Sequence, residues 1–84
     1  MQDPNNITTH FFSQSGKVSL YQGGAVVSNT MVASDSLILL TSQADGGTPG
    51  FLRITSIVPG TSFTIMSSSN TDSSTVAWFM IEGL

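Results

Sequence analysis

The chain has 84 residues, no cysteine, one histidine and a formal net charge of −3, with Lys17 and Arg53 as its only lysine and arginine. This excludes disulfides, thiolate metal sites and multi-histidine zinc centres, and so little positive charge argues against nucleic-acid binding. No apolar run approaches the ~20 residues that span a bilayer, and Met1–Asn6 lacks the basic and apolar regions of a signal peptide, so no membrane contact and synthesis in a cytoplasm are expected.

Only 8% of the residues are charged, whereas 14 serines and 10 threonines supply polarity without charge. With 39% hydrophobic residues, this is the composition of a packed domain and not of a disordered one. Size scaling gives about 8,000 Å² buried on folding. Its apolar share contributes about 120 kcal/mol, against about 125 kcal/mol for ordering the chain. The two nearly cancel. A monomer is marginal, and with cysteine and multi-histidine staples absent, self-association is the expected source of further stability.

Residues 1–15 read as an extended N-terminal arm that holds Phe11 and Phe12, adjacent rings that point to opposite sides of an extended chain. The β-domain is expected over 16–84. Lys17–Tyr21 alternates, with Val18 and Leu20 on one face, and Gly23-Gly24 marks a turn or bulge. Ala25–Val32 places Val26 and Val27 on opposite faces. Ser36–Thr41 is a continuous apolar run too short for a helix and reads as a central strand. Asp45-Gly46-Gly47-Thr48-Pro49-Gly50 is the strongest loop signal, because glycine supplies positive φ and proline fixes its own.

Phe51–Val58 alternates, with Leu52, Ile54 and Val58 on one side and Phe51, Arg53, Thr55 and Ile57 on the other. Pro59-Gly60 suits a tight turn, and Ser62–Met66 points Phe63 and Ile65 inward. A Ser/Thr/Asn/Asp block, Ser67–Ser74, reverses the chain through its own side-chain hydrogen bonds. It runs directly into Thr75–Ile81, an apolar strand that needs cover on both faces. The fold class is all-β: a small antiparallel β-sandwich or barrel of about six strands.

The segment from Gly46 to Glu82 resembles a short β-rich module that recurs in virion proteins of tailed bacteriophages and some other viruses. The residues that carry the resemblance are Gly46-Gly47-Thr48-Pro49-Gly50, Gly60-Thr61-Ser62-Phe63-Thr64-Ile65, and Ser67 through Trp78 with Glu82; Ser34–Ile38 looks like the strand before the loop. The resemblance covers about the last three-fifths of the chain, and it implies a virion structural component. It brings no catalytic residue.

Chemistry is not expected. A serine nucleophile needs a base within reach, and His10 lies in the arm; no Gly-x-Ser-x-Gly elbow is present. No cofactor or metal is expected either: Asn70, Asp72 and Asp45 offer too few oxygens for calcium, and Asn70 and Asp72 read as Asx turns that set a hairpin. Arg53 is expected to pair with an acid such as Glu82.

Phe11, Phe12, Trp78 and Phe79 are the candidate subunit or capsid interface. Trp78 could also be a carbohydrate-stacking platform, although its apolar neighbours favour core or interface. The expected function is a capsid decoration (cement) protein on the virion surface, with the module as the whole protein; the resemblance implies a homotrimer bound to the major capsid protein. The alternative is a tail-fibre or spike tip domain that binds a host-surface glycan.

Overall fold

The computed structural model describes residues 13–81, which form six strands: β1 (Ser13–Ser19), β2 (Gly24–Ser28), β3 (Leu37–Ala44), β4 (Leu52–Val58), β5 (Ser62–Ser67) and β6 (Thr75–Ile81). They make two three-stranded sheets, β1-β6-β3 and β2-β5-β4, and every pairing is antiparallel. The two sheets pack face to face as a sandwich. The all-β expectation holds. β1 begins at Ser13, three residues ahead of Gly16; Phe11 and Phe12 lie outside the described residues, as does Glu82.

The central strands are β6 and β5, and their alternation decides the core. Val76, Trp78 and Met80 point inward from β6, and Phe63 and Ile65 from β5. Trp78 is 9% exposed. Its indole meets the Phe63 ring edge-on, with centroids 5.3 Å apart and planes at 77°, the geometry that the ring quadrupoles favour. Leu20 and Val32 complete the buried cluster from the loops after β1 and β2, and Val18, Ala25, Val27, Ile38, Leu40, Leu52, Ile54 and Ile57 pack around it.

Trp78 fits because its cross-strand partner is Gly16. A Cβ there would sit 2.8–2.9 Å from three atoms of the indole, so the glycine leaves the space that the large ring fills. The signal is in the sequence, yet Gly16 reads there merely as the start of a strand.

Three expectations change. The Ser36–Thr41 run belongs to an edge strand, not a central one. Ile38 and Leu40 face the core while Leu37 and Leu39 face outward and are half-exposed, because nothing among the described residues covers the second face. In β4 a register shift between Ile54 and Ser56 inserts Thr55 as an extra residue. Such a bulge reverses the phase of the alternation, so Ile57 turns inward and Val58 outward.

The block Ser67–Ser74 is not a hairpin. It carries the chain from β5 in one sheet to β6 in the other.

Strand direction gives the sandwich two unlike ends. The β1–β2, β3–β4 and β5–β6 connections share one end. The β2–β3 and β4–β5 connections share the other, where Asn29 N–H donates to the Thr61 carbonyl and Gly60 N–H to the Val32 carbonyl. Ser13 and Ile81 are register partners, so both termini of the described chain also lie at that second end.

Replacing Trp78 with alanine should cost about 3–5 kcal/mol, the range for a buried aromatic. Gly16→Val should cost about 1–3 kcal/mol by overpacking. Urea unfolding followed by far-ultraviolet circular dichroism measures both; an unchanged midpoint for Gly16→Val would mean that the indole is free to move.

Candidate functional site: the three-loop end

The end away from Ser13 and Ile81 is built around one carboxylate. Asp72 is 1% exposed, and both its oxygens are occupied. Oδ2 accepts the Ser67 hydroxyl at 2.7 Å and the Gly50 N–H at 3.0 Å, and Oδ1 accepts the Ser74 N–H at 2.9 Å. The Ser74 hydroxyl, then the Ser67 hydroxyl, then the N–H groups of Ser74 and Gly50 hold its carboxyl well below the usual aspartate range, against the opposing effect of burial. A buried charge without a cation is tolerable when donors surround it in this way.

The donors come from two loops, so the carboxylate ties the β3–β4 loop to the β5–β6 loop. Backbone bonds continue the tie: Ser73 N–H donates to the Gly46 carbonyl, Thr48 N–H to Thr71, and Ser68 N–H to Phe51. The β1–β2 turn joins through Gly23 N–H to the Asp72 carbonyl and Ser67 N–H to the Gly23 carbonyl. The loops touch main chain to main chain, which accounts for the glycine-rich motif. Gly47 has φ +58°, and a Cβ on it would collide with the Thr71 carbonyl. A Cβ at Gly50 would lie 2.6 Å from the hydroxyl oxygens of Ser67 and Ser68.

The aspartate does form the expected Asx turn, since Ser74 N–H bonds its side chain two residues back. A cation there would have to displace N–H and O–H donors from both oxygens. Asp45 is exposed, and among the described residues no cluster of three metal-ligating side chains occurs.

On the surface of this end lies a cleft of about 620 Å³ lined by Tyr21, Gln22, Asn70, Thr71 and Ser73. Tyr21 opens a two-residue turn: its N–H donates to the Gly24 carbonyl and its carbonyl accepts the Gly24 N–H. Gln22 and Gly23, at φ +51° and +83°, give the turn its type I′ form. The Tyr21 ring stands 77% exposed.

The four interface candidates separate. Trp78 is core, which removes it as a carbohydrate platform. Phe79, on the opposite face of β6, is 40% exposed. It aligns with Leu39 on one side and Ser15 on the other, beside a shallow hollow of about 350 Å³ that Ala77, Lys17 and Thr41 also line. Leu37, paired with Ile81, extends this apolar face toward the second end of the sandwich. Sequence reasoning missed Tyr21, which ends an expected strand and carries no signal beyond the adjoining Gln22-Gly23-Gly24.

Compared with known families, residues 12–81 match the model of the K1 capsule-specific polysaccharide lyase, C-terminal domain. The chain belongs to this family. The match takes in all six strands and the three-loop end. No curated protein matches the chain.

Because the folded Asp72 carboxyl titrates far below the unfolded value of about 3.9, its contribution is complete above that pH. It is lost as pH falls through the depressed folded value. Asp72→Asn should therefore lower the thermal midpoint near neutral pH. The gap to the unmodified protein should stay constant down to about pH 4 and then narrow. A gap that widens in acid would mean that the carboxylate is not the linked group.

Proposed function

We propose that this chain is a non-catalytic tip module of a phage tail spike or fibre, which presents its three-loop end to a surface glycan. The observation that carries the reading is the placement of the cleft. Both described termini are at one end of the sandwich, while Tyr21, Asn70 and the Asp72 knot are at the other. Strands of about seven residues, each rising ~3.3 Å, separate them by roughly 20 Å. A module held at the end where Ser13 and Ile81 lie thus directs the cleft outward.

Membership of the family fits this placement. The family takes its name from a capsule-specific polysaccharide lyase, and this chain corresponds to its C-terminal domain. The lyase reaction is a property of the protein so named. In this chain Asp72, the buried carboxylate of the described part, has every oxygen hydrogen-bonded and offers no base. The resemblance to virion modules agrees with a virion location and leaves head and tail both open; the family favours the tail over capsid cement.

We further propose that copies associate through the outer face of the β1-β6-β3 sheet, each covering the other's Leu37, Leu39 and Phe79. The face carries a single charge, Lys17, so its burial desolvates little. The second sheet also turns Val26, Val58 and Met66 outward, but it sets them among Arg53, Thr64, Ser56, Ser62 and Ser28 with no two of them cross-strand partners, whereas Leu39 and Phe79 adjoin directly.

Immunogold labelling of purified particles that carry this chain should mark tails; label on heads would restore the decoration reading. In sedimentation at micromolar concentration the protein should run as an oligomer, and Leu39→Asp should shift it to monomer with its circular dichroism intact. A monomeric unmodified protein would remove the self-association proposal.

A further inference from the structure

The outward cleft has the chemistry of a saccharide subsite, and we propose that it binds a sugar through Tyr21 stacking and amide and hydroxyl hydrogen bonds, without recognising charge. The inference rests on the tip-module reading and gives it a binding site. Sugars present an apolar C–H face and a rim of hydroxyls. Protein sites match this with an aromatic surface that is wet at one edge and a few fixed polar groups.

Here the Tyr21 ring supplies the surface and is 77% exposed. Gln22, Asn70, Thr71 and Ser73 supply the polar groups around one cleft of about 620 Å³, within the range of small-ligand sites. Among the described residues, no intramolecular hydrogen bond occupies the side-chain amides of Gln22 and Asn70, whereas the Asn29 amide is taken up by Gln14.

Two further features separate this cleft from ordinary surface. Gln22 holds φ +51°, a region sparsely populated by any residue that is not glycine, asparagine or aspartate. Type I′ turns strongly favour asparagine or glycine there. A glutamine keeps the strain and places a longer amide beside the tyrosine. Local strain of this kind concentrates at binding sites.

The backbone beneath is also fixed. Gly23 joins the turn to the Asp72 carbonyl, and Thr71 is held by Thr48 and through its neighbour Asp72. A site preordered in this way loses little entropy on binding. The lining residues carry no formal charge. Recognition therefore falls on hydroxyl and acetamido groups, even where the polysaccharide as a whole is acidic.

Nitrogen-15 amide shift mapping on the intact chain tests this, with K1 capsular oligosaccharides, chitopentaose and maltopentaose as probes. At least one probe should perturb the Tyr21–Gly23 and Asn70–Ser73 amides, with an affinity that does not change with ionic strength. Tyr21→Ala should weaken that binding about tenfold, the upper reach of an aromatic contact. Tyr21→Phe should retain most of it.

Phe51 is the control, a ring 85% exposed that does not line the cleft; Phe51→Ala should bind as the unmodified protein does. Binding that survives Tyr21→Ala, follows Phe51, or falls steeply with salt would overturn the proposed site and leave the tip reading standing. Binding of none of the probes by the unmodified protein would overturn the site and the glycan reading together.

Discussion

The Asp72 carboxylate holds the three-loop end together, and the shape of that end depends on it. Two loops from different sheet connections donate N–H and O–H groups to its oxygens, and a third is bonded to its backbone carbonyl. In a domain with six strands and no disulfide, loops this rich in glycine and serine would otherwise be costly to order. One buried anion replaces several separate contacts, and the glycines bring the main chains near enough for it to do so.

The same economy runs through the core. Trp78 supplies the largest buried surface, and the sheets close around it because β1 contributes Gly16 opposite and β5 contributes Phe63 edge-on. The outer faces divide the remaining labour. One is continuously apolar along Leu37, Leu39 and Phe79; the other intersperses Val26 and Val58 with hydroxyl-bearing side chains and Arg53.

Much of this was legible in the residues. Period-two alternation identified the strands, and it placed Phe63 and Ile65 inward correctly. The Gly46–Gly50 loop and the Asx turn at Asp72 were readable because their chemistry is local. What was not legible depends on partners distant in sequence. An apolar run such as Ser36–Thr41 looks the same whether its second face is covered by its own chain or left open, so β3 read as central. The Thr55 bulge has no composition signal and reversed Ile57 and Val58. Ser67–Ser74 looked like a hairpin because side-chain hydrogen bonds reverse a chain equally well within one sheet or between two. Tyr21 was overlooked for the same reason: exposure is a property of packing, not of the residue.

The division between the Asp72 knot and the side chains above it has an evolutionary consequence. Gly47, Gly50, Ser67 and Asp72 are bound to one another by geometry, and exchange of any of them disturbs three loops together. Tyr21, Gln22, Asn70 and Thr71 stand on that frame with exposed side chains, where substitutions usually change stability by less than about 0.5 kcal/mol. At Gln22, asparagine or glycine would even relieve the backbone. The side chains on this surface can therefore change one residue at a time while the scaffold stays fixed. Antibody loops on their own sandwich achieve versatility by the same separation of frame from contact.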